Sequence, residues 1–170
     1  MTASPRTLTL VPATLDMYDA ELVGDLHRLA QLLGTRAIQE WPPIDGEHDA
    51  EAVAFFRRTQ TSGPETEGWL AHYACSGAEL VGSAGFFGPP VAGTTEIGYS
   101  ICARSRGRGF ASAAVALLIE LARTRGGRVL LAHVSTTSPF AAGSIGALTH
   151  NGFTESTSER VDHRGFSLTL

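Results

Sequence analysis

Residues 96–109, EIGYSICARSRGRG, decide how this chain is read. Ile97, Tyr99 and Ile101 alternate with smaller residues, the period of two that marks a strand. Arg104-Ser105-Arg106-Gly107-Arg108-Gly109 follows, and Phe110 opens an apolar run through Leu121 that is too long for a strand. Gly126-Gly127 stops it, as glycine stops helices. A strand therefore passes through a glycine turn into a helix. Such a turn points unpaired amide N–H groups outward, and with the helix dipole they suit phosphate oxygens. The turn lacks the GK[ST] ending of a nucleotide P-loop, and it lies past mid-chain, where a dinucleotide fingerprint is not expected.

Working outward, Thr7–Val11 reads as a first strand and Thr14 or Asp16 as a helix cap. Leu22, Leu26, Leu29 and Leu33 recur at helical spacing and predict one helix ending at Gly34. Ala37–Glu47 is a connector, since Trp41-Pro42-Pro43 cannot be helix interior. Asp49 starts a second helix with Val53, Phe55 and Phe56 toward the core. Gly68–Cys75 and Glu79–Phe87 are strands joined by Ser76-Gly77-Ala78. After the long helix, Arg128–Ser135 is an apolar strand, and Ser138-Pro139 predicts a helix start, with proline at the first helical position. Phe153–Val161 and Gly165–Leu170 predict a closing hairpin, and Met1–Pro5 a loose start. The order β-α-α-β-β-β-α-β-α-β-β predicts a single α/β domain over 1–170, a mixed sheet of about seven strands with helices on both faces.

With 170 residues the chain can bury a full core. Two cysteines, Cys75 and Cys102, make no disulfide framework and fit a reducing compartment. A net charge of −4 argues against nucleic acid as partner. No apolar run reaches the roughly 18 residues of a membrane span. The N-terminus lacks the basic-then-apolar order of a signal peptide, so the expected location is cytoplasmic, with no membrane partner. No metal site is expected.

Arg104-x-x-Gly107-x-Gly109, preceded by Glu96-Ile97-Gly98-Tyr99, resembles motif A of the GCN5-related N-acetyltransferases. Ser144 through Gly152-Phe153 resembles their motif B helix and the strand after it. The similarity covers about the last half of the chain in detail and the first half in outline, and it leans toward the branch that modifies ribosomal-protein N-termini. It implies a strand at 94–102 that carries a bulge and splays from the strand at 128–135, with acetyl-CoA as co-substrate in the gap. On that reading Ile101, Cys102 and Ala103 line the pantetheine arm. The amides from Arg106 through Gly107, Arg108, Gly109 and Phe110 to Ala111 take the pyrophosphate, Arg104 adds charge, and Ser138 joins the cofactor contacts.

The implied reaction is direct transfer of acetyl to a primary amine, which must be neutral to attack and so needs a base. Glu96 is the first candidate, being at the start of the splayed strand; an ordinary strand-end carboxylate is the equal alternative. His133, within Leu130-Leu131-Ala132-His133-Val134, is the second, although a histidine in an apolar strand is more often a satisfied core residue. Many relatives carry a tyrosine four residues before the Gly-Phe pair, as acid for the thiolate; here that position is Leu148. Tyr18, Tyr73 and Tyr99 all lie outside that helix. Many also carry an asparagine that here corresponds to Ala141 or Ser138, depending on the end counted from. The one asparagine, Asn151, is expected in the turn before Gly152. Ser144 matches the serine of the ribosomal-protein branch, which implies that it faces the thiol, with plain helix packing as the alternative. The acceptor is a small-molecule amine or a peptide N-terminus. It is expected over the acidic connector, with Trp41, Glu40 and Asp45 as substrate contacts and a solvated loop as the alternative. A homodimer is left open. A non-catalytic acetyl-CoA sensor or assembly domain is the competing function, sustained by the missing tyrosine.

Overall fold

A computed structural model describes residues 7–44 and 48–170. Asp45 and Glu47 of the acidic connector and the Met1–Pro5 opening lie outside the described residues. The strands are β1 (Leu8–Pro12), β2 (Ala71–Ser76), β3 (Glu79–Phe86), β4 (Thr94–Ile101), β5 (Val129–Ser135), β6 (Thr154–Ser156) and β7 (His163–Thr169). The helices are α1 (Leu15–Leu22), α2 (Leu26–Leu33), α3 (Ala50–Gln60), α4 (Phe110–Thr124) and α5 (Ala141–His150). One seven-stranded mixed sheet runs in the order β1-β2-β3-β4-β5-β7-β6.

Helices cover both faces because alternate strand residues feed two cores. α4 and α5 pack on one face, where Ala114, Val115, Leu118, Ala147 and Leu148 meet Ile97, Leu130 and Ala132. The valine, leucine and isoleucine side chains among them each contribute about 1.5–3 kcal/mol when fully buried. On the other face Met17, Tyr18, Leu29, Val53 and Phe56 cover Ala71, Tyr73 and Cys75.

The sheet opens in its middle. β4 and β5 run parallel but share only the rungs Thr94↔Val129, Thr95↔Leu130 and Glu96↔Leu131. Beyond Glu96 they diverge, while β5 stays paired with β7 from Val129↔Thr169 to Ser135↔His163. The expected splay is therefore present. The expected bulge in β4 is not seen against β3, whose register runs without a shift from Gly82↔Ile101 to Phe86↔Ile97. The register shift falls between β2 and β3 at Ala74/Cys75.

Four other expectations need correction. The single first helix is two, because Val23-Gly24 breaks it and Asp25 caps α2 through Arg28 N at 2.9 Å; Leu22 is consequently 40% exposed. Phe55 is also 40% exposed, so only Val53 and Phe56 of the α3 trio reach the core. α5 begins at Ala141 with Phe140 as its cap, and Ser138-Pro139 forms the turn before it. There Ser138 Oγ accepts from Phe140 N at 3.2 Å. The closing hairpin keeps only three residues of its first strand. The chain from 157 to 162 turns away from the sheet, which brings Arg160 back toward β4.

Candidate active site

The gap between β4 and β5 is the mouth of a cleft of about 1050 Å³, closed on its far sides by α4 and α5. Backbone alternation shows which part of β4 faces it. Cys102 N bonds Val81 O at 2.9 Å and Phe87 N bonds Glu96 O at 3.0 Å, so even-numbered residues turn their backbone groups to β3. Ile97, Tyr99 and Ile101 turn theirs toward the cleft. Ile101 lines it, as do Gly107, Gly109, Phe110 and Ala111. Cys102 and Ala103 do not. The Cys102 thiol is fully buried, and the Ala103 amide donates to Glu40 Oε1 at 2.7 Å.

The glycine turn is built as a cradle. Gly107 and Gly109 have φ of +70° and +79°, the left-handed region that side chains rarely adopt, and no atom lies within 4 Å of where their Cβ would be. Gly109 is the N-cap of α4, and no side chain caps that helix. A 15-residue helix thus presents its first-turn amides to the cleft, the arrangement that binds anionic oxygens. The arginines divide. Arg106 lines the cleft but is tied down: its Nε donates to Ile101 O at 2.9 Å, its Nη2 to Ile44 O at 2.7 Å, and its guanidinium stacks 3.7 Å from the Phe140 ring. It straps the turn to the connector and to the start of α5. Arg104 and Arg108 are exposed outside the cleft walls, Arg108 over the Phe110 ring.

The two candidate bases are bonded to each other. His133 Nδ1 lies 3.0 Å from Glu96 Oε1, and Arg160 Nη2 donates to Glu96 Oε2 at 2.8 Å. Glu96 sits on the last rung at the closed apex of the splay, and His133 stands two residues beyond its own rung, inside the cleft wall. A carboxylate offers only acceptors, so Nδ1 is the donor in this pair, the arrangement that in a neutral imidazole puts the lone pair on Nε2. Arg160 is a contact that sequence reading missed. It comes from an irregular loop 64 residues away, and no motif marks it.

On the α5 wall, Tyr99 reaches across from β4 and donates to the Ser144 carbonyl at 2.8 Å. Both residues and Ser138 line the cleft. Leu148 is fully buried in the core. A phenol therefore stands in the cleft even though the helix lacks one. Asn151 does more than make a turn: its Nδ2 donates to Ser112 O and Oγ, each at 3.0 Å, tying α5 to the first turn of α4.

The connector is organised by Glu21, another residue without a sequence signal. Its side chain is 7% exposed and accepts from Trp41 Nε1 at 2.6 Å, His48 Nε2 at 2.7 Å and Tyr73 OH at 2.6 Å. Trp41 thus spends its polar atom on a buried network and packs edge-on against His48. Glu40 binds the Ala103 amide as described. Burial alone would raise the Glu21 pKa; the hydrogen bond and charge of His48, then the Tyr73 hydroxyl and the Trp41 indole, outweigh it and hold the carboxyl below its ordinary value. Glu21→Ala leaves three donors unpaired and is expected to cost about 3 kcal/mol or more in urea unfolding. Because the folded pKa is depressed, the carboxylate's contribution is present above the unfolded value of about 4.3 and is lost as pH falls through the folded one. Acid should therefore destabilise the native chain more steeply than Glu21→Gln in the same titration.

Among the described residues no group of three His, Cys, Asp or Glu could hold a metal, and no helix is long and apolar enough to cross a membrane. The site is thus a strand pair splayed over a cleft, with an uncapped glycine-cradled helix at one end and a His–carboxylate pair at its apex. The family model of the acetyltransferase (GNAT) domain matches residues 9–154, and the chain belongs to that family. No curated protein matches it in sequence. Solved structures share the fold. The yncA protein of Salmonella typhimurium, solved with its cofactor acetyl-CoA, is 22% identical with a TM-score of 0.60, covering 96% of this chain and 94% of its own. The ribosomal-protein-alanine N-acetyltransferase of Brucella melitensis is 21% identical with a TM-score of 0.60, covering 96% and 99%. The GNAT domain of S. lividans PAT is 19% identical with a TM-score of 0.62, covering 96% and 89%.

Proposed function

We propose that this chain is an acetyl-CoA-dependent N-acetyltransferase in which His133 Nε2 is the general base. The observation that carries the reading is the His133–Glu96 hydrogen bond at the cleft wall, which leaves Nε2 as the ring's acceptor. The cofactor fits the cleft by its cradle: the amides of Gly107 to Ala111 and the uncapped α4 terminus for the diphosphate, and the divergent edge of β4 at Ile97, Tyr99 and Ile101 for the amide-bearing arm. Bound acetyl-CoA supplies an acetyl carbon whose bond to sulfur breaks as a bond to the amine nitrogen forms.

His133 accepts the proton that the amine nitrogen must lose. Glu96 holds the ring in the required tautomer, and Arg160 holds Glu96. Tyr99 is the phenol on the α5 wall and the proton source we assign to the departing sulfur, with Ser144 beside it. Transfer is direct. Burial, with the Glu40 charge added, pushes the Cys102 thiol up to about 11, and burial pushes Cys75 to about 11, so neither offers a thiolate to carry the acetyl group. Release of CoA thiol, measured with acetyl-CoA and a range of primary amines and peptide N-termini, is expected with at least one acceptor. Tight acetyl-CoA binding with no release from any of them would instead make the chain a cofactor-binding domain.

A further inference from the structure

Resting on that transferase reading, we infer that the acceptor is a primary amine bearing an aromatic or branched apolar group, held against Phe87, Phe56 and Phe55 beside the Glu96–His133 pair. Phe87 stands opposite Glu96 in the sheet, its N–H donating to the Glu96 carbonyl at 3.0 Å. Residues opposite each other on antiparallel strands project to the same face. The Phe87 side chain therefore leaves the sheet on the same face as that of Glu96, where its ring meets Phe56 of α3. Phe55, Phe56 and Phe87 form a series, with ring centroids 5.5 Å and 6.0 Å apart. Phe56 is 7% exposed and anchors the strip, whereas Phe55 at 40% and Phe87 at 37% present theirs.

At the inner end of the strip a small cavity of about 30 Å³ is walled by Phe56, Phe87, His48 and the glycines Gly85 and Gly98. Those glycines are paired across β3 and β4, so two neighbouring side chains are missing from this face; at Gly85 the backbone of Leu70 and Ala71 takes that room, 2.5 Å and 2.8 Å from where a Cβ would be. Gly98, Tyr99 and Ser100 wall both this cavity and the large cleft. An amine seated on the strip is thus one strand away from the cofactor cleft and next to the base.

The charges favour the same class. Among the described residues, Glu96 has its charge partnered by Arg160 and Glu21 is buried, while Glu40 and Asp49 each spend an oxygen on a backbone amide. Glu40 holds the Ala103 amide at 2.7 Å, Asp49 caps α3 through Ala52 N at 2.9 Å, and Glu21 is buried under its three donors. Glu96 is shared between His133 and Arg160. An apolar group on the acceptor leaves water by contacting the Phe55 and Phe87 rings.

The test compares 2-phenylethylamine and isoamylamine with ethanolamine and spermidine by CoA thiol release, in the native chain, Phe87→Ser and Phe87→Leu. Binding of 2-phenylethylamine in the presence of CoA is followed by saturation-transfer NMR. The apolar amines should show kcat/KM at least tenfold above the polar ones, with Phe87→Ser erasing that ratio and Phe87→Leu keeping most of it. If Phe87→Ser does not fold, Phe55→Ser on the exposed end should narrow the ratio. Spermidine or ethanolamine equal to or better than phenylethylamine overturns the inference while the transferase reading stands, as does a ratio that survives both serine variants. If no amine releases thiol, the transferase reading fails and the NMR arm decides alone. Saturation transfer lost on Phe87→Ser then keeps the apolar site, and no transfer in the native chain overturns it.

Discussion

His133→Ala is expected to cut turnover on the order of 10²-fold or more at saturating substrates, with acetyl-CoA affinity nearly intact. The cofactor contacts proposed are backbone groups of β4 and the α4 turn, which the substitution does not touch. Glu96→Gln should be nearly as damaging, for a reason that separates the two residues' roles. Arg160 has only donors, so the new side chain turns its one oxygen toward Arg160 and its NH2 toward His133 Nδ1. The imidazole must then accept at Nδ1 and carry its hydrogen on Nε2, where a base needs a lone pair. Adding Arg160→Met frees the glutamine oxygen for His133, so the double variant should recover activity over Glu96→Gln alone. A double variant no better than Glu96→Gln, together with an active His133→Ala, would return the base to Glu96. Full activity in both single variants would mean that the amine is bound already neutral or that the base lies in the first half of the chain.

Gly109→Val should weaken acetyl-CoA binding at least tenfold, about 1.4 kcal/mol, with the fold retained. Beyond the neighbouring residues no protein atom lies within 4 Å of where the Cβ would be, so the Cβ itself makes no clash with the rest of the chain. The loss comes from the backbone. Valine at φ +79° is strained, and relief by rotation would swing the first-turn amides of α4 away from the diphosphate. Left-handed strain alone costs about 1–2 kcal/mol of stability, which circular dichroism and thermal unfolding would register as a lowered midpoint in a folded protein. Calorimetry showing unchanged affinity in that folded variant would remove the glycine turn from the cofactor site.

The sequence by itself determined the elements that rest on local chemistry. Strand alternation at Ile97, Tyr99 and Ile101, the glycine turn and the long helix after it are encoded within a few residues of one another, and so is the cap at Asp49. These elements carried the family resemblance and the fold. The break at Val23-Gly24 shows the limit of periodicity: leucine spacing continues through it, but the leucines on either side serve two helices. The start of α5 shows the same limit, because Pro139 suits a first helical turn and the chain forms a tighter turn there instead.

Only the tertiary structure decided the site. Glu96 and His133 read as rival bases because they are 37 residues apart in the chain; the parallel rung Glu96↔Leu131 makes them one hydrogen-bonded pair. Tyr99 lies outside α5 in sequence yet reaches its wall, because its side chain extends from β4 across the cleft to the Ser144 carbonyl. Arg160 and Glu21 have no local signal at all, one arriving from an irregular loop and the other from a helix face. Periodicity and capping act over a turn or a rung, whereas which charged atoms meet depends on sheet order and splay. Those are set by the packing of the two cores as a whole.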